Sequence, residues 1–346
     1  MHSKFTQIDW KHFGYFDPSI SEIYYGLFSD SEDLREVAKL HFYELPEIVV
    51  AELVPCITEG IENRSLSSTT LLFVLETLLA TANWVTEDFE QPSSTEYQSK
   101  IEQCLKSDVS VFSAFLHYEY PAIRRVAVEL IATVDKVAGK MLVSQHLAIE
   151  ADAVVQRKLL ELAAMLNCTN IIAVIEEFVS HSNRTVGLQA AISFILLCKE
   201  AGCDYSSALA LLTSEIVNPK TDSRLFRSGR EIILSVAREG LLPATRRGIE
   251  IISKAKDERA LPHICHMLIL LFNSNQDSPE LRNAQRELLS ALIADDNLWD
   301  IDNTSKLVVS NYTGLFSNLE EILSRFNLPT DRPSLTKYIQ GQKDDE

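Results

Sequence analysis

Apolar residues recur along most of this chain at three- and four-residue spacing, which gathers them on one side of an α-helix. The stretch AIRRVAVELIATV, residues 122–134, shows this most plainly. Ile123, Val126, Ala127, Leu130, Ile131 and Val134 form one stripe, and Arg124, Arg125 and Glu129 lie off it. Pro121 suits the first helical turn, where a missing N–H costs nothing. No segment sustains the two-residue alternation of a half-buried strand, so no sheet is expected.

The pattern repeats. DSEDLR opens at residue 30 and DSPELR at residue 277. In the first, Leu34, Arg35, Val37 and Ala38 take the places of Ile123, Arg124, Val126 and Ala127. In the second, Leu281, Arg282 and Ala284 align, with Leu288 one turn on. Val155, Leu159, Leu162 and Ala163 carry the stripe in a further copy. Val186, Ala190, Phe194 and Leu197 carry it in another, interrupted by Gln189 and Ser193. Asp30, Asp277 and Asn183 stand where helix N-caps belong. Between these helices lie other apolar runs: EIVVAELVPCITEGI, SSTTLLFVLETLLATA, GKMLVSQHLAIEA, NIIAVIEEFVSH, SSALALLTSEIV, TRRGIEIISKA and ALPHICHMLILLFN. Short polar turns after most of them suit antiparallel neighbours. Ile123, Val155 and Val186 are 32 and 31 residues apart. Two helices per unit at that period indicate a helical solenoid.

An Asp or Asn, a short spacer, an aliphatic residue, Arg, then Val-Ala and a leucine stripe resembles the second helix of HEAT repeats. Arg35, Arg124 and Arg282 match the characteristic Arg of that family. The likeness spans residues 20–295. It implies an all-α, right-handed α-α superhelix of antiparallel helix pairs, the armadillo-type fold. The opening IDWKHFGYF, a helix pair and ELVPCI also resemble bacterial HEAT-type proteins, some labelled immunity proteins of toxin systems. Residues 1–346 then read as one solenoid domain. Its expected caps are residues 1–20 and 314–346, the latter a helix (GLFSNLEEILSRF) and a frayed tail. An acidic loop is expected at 86–98.

Composition agrees with helices: 46% of residues are hydrophobic, 23% charged, and Gly and Pro number 11 each. The net charge of −17 disfavours nucleic acid and anionic membrane and favours basic partners. Charge is polarised. Residues 1–100 hold 17 acids against 6 Lys or Arg, whereas residues 219–259 hold 10 basic residues against 6 acids. None of the six cysteines forms a C-x-x-C pair, which suits a reduced, cytoplasmic setting. The polar, aromatic opening is neither a secretory signal nor a transit peptide. The longest apolar run, LPHICHMLILLF, is too short for a bilayer.

Signals for chemistry are weak. His263 and His266, flanking Cys265, share a helix face but lack further ligands nearby in sequence, so a packed helix is the better reading. DDNLWDID crowds four carboxylates without the Gly and terminal Glu of a calcium loop. No phosphate, dinucleotide or zinc-protease motif occurs, and no metal, cofactor or catalytic residue is expected. Two binding surfaces are expected instead. One would use Trp10, Tyr24, Tyr25 and Trp84 with Glu87, Asp88 and Glu90 to hold a basic protein, since Trp and Tyr are favoured interface anchors. The other would use Arg224, Arg227, Arg230, Arg246 and Arg247 to hold an anion, because Arg makes two-pronged contacts to carboxylate and phosphate. The expectation is therefore a protein-binding solenoid without enzymatic activity, an immunity or inhibitor protein that neutralises a basic toxin. The alternative is a HEAT-like binder of nucleic acid or an anionic ligand through the arginines.

Overall fold

The computed structural model describes residues 4–13, 17–86, 96–217, 237–255, 259–272, 278–301, 307–308, 315–316 and 318–341. The described residues are overwhelmingly helical, the all-α class expected from the periodicity. The chain divides into two compact units, Met1–Val174 and Ile175–Glu346.

The first unit contains α1 (Lys4–Gln7), a 3-10 turn (Trp10–Phe13), α2 (Asp17–Leu27), α3 (Glu32–Tyr43), α4 (Glu47–Asn63), α5 (Ser68–Thr86), α6 (Glu96–Ser107), α7 (Val109–Ser113), α8 (Pro121–Val134), α9 (Lys136–His146) and α10 (Ala153–Met165). At its centre α8 packs on α5, α7, α9 and α10. Its stripe residues Ile123, Val126, Ala127, Leu130, Ile131 and Val134 are all buried, and Pro121 takes the first helical turn. Full burial of such side chains contributes roughly 1.5–3 kcal/mol each before entropy is counted. By length and composition α5 could cross a membrane. Here its Leu71, Val74, Leu75 and Leu78 are buried, and it packs on α6 and α8.

The helix α11 (Ile172–Val179) spans the boundary between the units. The second unit continues with α12 (Arg184–Ala201), α13 (Ser206–Val217), α14 (Ala237–Lys254), α15 (Ala260–Phe272), α16 (Pro279–Ala294), α17 (Asp296–Trp299), α18 (Leu319–Arg325) and α19 (Arg332–Gly341). Here α14 packs on α13, α15 and α16, and α19 covers α16. In α12 the two polar interruptions of the stripe satisfy each other: Gln189 Nε2 donates to Ser193 Oγ at 3.4 Å.

Several local expectations are corrected. Asn183 caps α12 as expected, accepting from the N–H groups of Thr185 and Val186. Asp30 caps nothing; its carboxylate accepts from Thr70 and Ser67 hydroxyls instead. Asp277 lies outside the described residues, and Ser278 caps α16. The expected loop over 86–98 is helical at its end, because α6 begins at Glu96. Where a helix was expected from residue 314, Leu315–Phe316 pairs antiparallel with Leu307–Val308, in register Leu307 with Phe316 and Val308 with Leu315. The helix starts only at Leu319. Within the expected C-terminal cap, residues 332–341 make α19 and bury Leu335 and Ile339 one turn apart, and the end expected to fray, GQKDDE, lies outside the described residues but for Gly341.

Candidate functional site

The first copy of the repeat departs from the others on its outer side. In α3 only Arg35, Ala38 and Phe42 are buried. Leu34 is 57% and Val37 51% exposed, although the repeat pattern aligns them with Ile123, which is 1% exposed, and with Val126. The expectation that they join the core is therefore corrected. The reason is packing: α8 is covered by α5, α7, α9 and α10, whereas α3 leans mainly on α2. The close approach of α2 and α3 needs Gly26, since a Cβ there would meet the Ala38 methyl at 2.7 Å.

Between these two helices runs a groove of about 750 Å³. Ile23, Tyr25, Leu34, Val37 and Ala38 supply apolar wall, and Glu22, His41 and Glu44 supply polar edge. Leu40, on the same helix, is also exposed. Residues 17–45 carry seven carboxylates against Arg35 and Lys39. Neither cation neutralises the groove. Arg35 is buried and donates to the Ser29 carbonyl at 2.8 Å. The Lys39 ammonium lies 5.2 Å from the centre of the Phe73 ring. The result is an exposed apolar strip edged by acid, larger in character than the isolated apolar side chains usual on a surface.

Leu45 joins this groove to a second pocket of about 310 Å³ that contains Trp84, Tyr43, Val50 and Glu47. Tyr43 is half-exposed; burial, then the charges of Glu36 and Glu76, pushes its hydroxyl above the ordinary range, so it stays a neutral donor.

The residues singled out in the sequence separate. Tyr25 is 50% exposed and lines the groove. Its neighbour Tyr24 is buried and donates its hydroxyl to the Cys56 carbonyl at 3.2 Å. Burial raises the Tyr24 pKa, and the nearby Arg64 partly opposes this. Trp10 is buried as well, with its Nε1–H on the Phe5 carbonyl. The Phe5 ring stacks on Tyr24 with centres 4.3 Å apart, and the Arg64 guanidinium lies over Tyr24, Tyr25 and Phe28. Trp10 and Tyr24 thus hold the N-terminal segment to the helices below it. Glu87, Asp88 and Glu90 lie outside the described residues.

Of the arginines, Arg224, Arg227 and Arg230 also lie outside the described residues. Arg246 pairs with Glu287 at 3.0 Å and Arg247 with Glu250 at 2.5 Å. Both are exposed but already answered by carboxylates. His266 is buried in α15 and desolvation, with His263 nearby, drives its pKa down to about 4. In DDNLWDID, Asp295 caps α17 and Asp296 pairs with Arg332. Among the described residues no three His, Cys, Asp or Glu side chains are placed to hold a metal ion.

No family model matches the chain, and no curated protein matches it. Among the solved structures similar to it are two all-helical ones. One is the complex of CpcE and CpcF of phycocyanin lyase from Nostoc sp. PCC7120, at 19% identity and a TM-score of 0.33, covering 78% of this chain and 93% of that one. The other is an engineered protein, at 13% identity and a TM-score of 0.34, covering 93% of this chain and 97% of that one. The first of these is described as a lyase, against the expectation of a chain without enzymatic activity.

Proposed function

We propose that the chain is a protein-binding helical scaffold whose recognition surface is the groove between α2 and α3, and that its partner presents a basic, amphipathic segment. The observation that carries this reading is the exposure of Leu34 and Val37 on a helix edged by Glu22, Glu32, Asp33, Glu36 and Glu44. Apolar side chains at a one-turn spacing give a partner helix its anchors. The carboxylates attract Lys or Arg flanks and speed encounter. A second copy of this chain would bring the same acids against each other, so self-association through this face is disfavoured. Tyr25, Tyr43 and Trp84 extend the surface with aromatic residues of the kind that dominate interface energetics.

The finer reading rests on the acidic charge, the resemblance to HEAT-type immunity proteins and the unpaired cysteines: the partner is a basic toxin or effector, which the chain neutralises in the cytoplasm. Affinity capture from the native source, run in parallel with wild-type chain and a Leu34→Glu, Val37→Glu double variant, tests both levels. A stoichiometric basic protein held by the wild type and lost by the folded variant supports the groove. Equal capture by both discards it. A captured protein without toxic activity discards only the neutralising role.

A further inference from the structure

Helix α12 ends in a turn that carries two cysteines. Gly202 takes the left-handed backbone (φ 73°) that stops the helix. The N–H groups of Gly202 and Cys203 both reach the Cys198 carbonyl, at 2.7 and 3.1 Å. Closure across six residues past a left-handed glycine brings the following side chain against the one a turn back. At both of those positions stands a cysteine. Cys198 is buried and Cys203 exposed. Burial, then the neighbouring Cys203, holds the Cys198 thiol protonated, up to about 11. Cys203 is therefore the sulfur an oxidant meets first, and Cys198 is the partner waiting behind it.

We propose that Cys198 and Cys203 form an oxidisable pair that closes to a disulfide under a peroxide and reopens under a thiol reductant. The Cys203 sulfur attacks the peroxide; the O–O bond breaks, the sulfur becomes a sulfenic acid, and one water leaves when hydrogen peroxide is the oxidant. The Cys198 sulfur then displaces the hydroxyl. An S–S bond forms, the S–O bond breaks, and the Cys198 proton leaves with the hydroxyl as a second water. Two thiols and one peroxide thus yield one disulfide and two waters. The bond would pin the turn between α12 and α13, where Gly202 stops the first helix and Asp204 accepts from the Ser206 N–H at the start of the second.

The test is hydrogen peroxide treatment of the full chain, alkylation of remaining thiols, and mass spectrometry of the intact and trypsin-cut protein. Cleavage after Lys199 separates the two sulfurs, so the bond would hold two peptides together. The expected result is a mass loss of about 2 Da, reversed by dithiothreitol, with Cys198 linked to Cys203. Cys203→Ser, at an exposed position that leaves the core intact, abolishes it. Three results would overturn the proposal. One is no mass loss. Another is Cys203 over-oxidised while Cys198 remains a free thiol. The third is a mass loss carried by a bond between two other cysteines, Cys56 and Cys104, in place of the Cys198–Cys203 bond.

Discussion

Arg124 and Glu150 are joined by two parallel hydrogen bonds, Nε to Oε2 at 3.0 Å and Nη2 to Oε1 at 2.8 Å. Both side chains are largely buried. The third nitrogen of the guanidinium, Nη1, donates to the Tyr118 and Glu119 carbonyls. One side chain in α8 therefore ties down the turn before its own helix and the turn before α10. Arg124→Ala should cost about 2–4 kcal/mol, since it leaves a mostly buried carboxylate and a carbonyl unanswered. Arg124→Lys should recover part of this, and urea unfolding of the three proteins checks it.

Acid should loosen the same tie. Burial pushes Glu150 up, but hydrogen bonds from Arg124 and from the Asp152 and Ala151 N–H groups outweigh it and hold the carboxyl below the ordinary range. A depressed carboxyl stabilises the fold above its unfolded pKa and loses that contribution as pH falls through the folded value. The stability of wild type should fall more steeply than that of Glu150→Gln as pH drops below about 4.5.

His266 acts in the same direction at higher pH. Its folded pKa of about 4 lies below the ordinary imidazole value, so the unfolded chain takes up a proton first. Its contribution is whole above pH about 6.5 and disappears toward pH 4, an effect of order 2–3 kcal/mol. Denaturant melts of His266→Gln should vary less between pH 7 and 5 than those of wild type; equal slopes would remove His266 as the cause.

Leu34 and Ile123 occupy the same place in the repeat pattern and opposite environments. Ile123→Ala should destabilise by about 2–5 kcal/mol through the cavity it leaves. Leu34→Ala should change stability by less than about 0.5 kcal/mol. Thermal unfolding of the pair separates a structural stripe from a recognition stripe.

That contrast also marks what was legible in the sequence. Helical period announced α8, α10, α12 and α16, because their stripes meet covering helices on the sides the pattern predicts. It also marked the repeated Arg position without saying what that side chain does. Arg35 reaches the Ser29 carbonyl, Arg124 that of Tyr118, and Gln156 that of Glu150, each six residues back. Gln156 does the work of an arginine there, and the equivalent Gly187 has no side chain at all, so a search for Arg alone misses two copies. The groove could not be read, because Leu34 and Ile123 differ only in which helices lie outside them. Neighbouring Tyr24 and Tyr25 show the same limit: a cluster of aromatics does not say which ring faces in. The Leu307–Val308 and Leu315–Phe316 pairing is too short to register as alternation, and α19, which buries only Leu335 and Ile339, carries too sparse an apolar stripe to stand out in the sequence.

The groove claim is tested most directly by hydrogen–deuterium exchange on the chain, alone and with the basic partner it captures. Slowed exchange across Asp17–Leu27 and Glu32–Tyr43 on binding, with α9 unchanged, is the predicted result. Protection confined to α9 or to the second unit, with α2 and α3 exchanging as in the free chain, would contradict it.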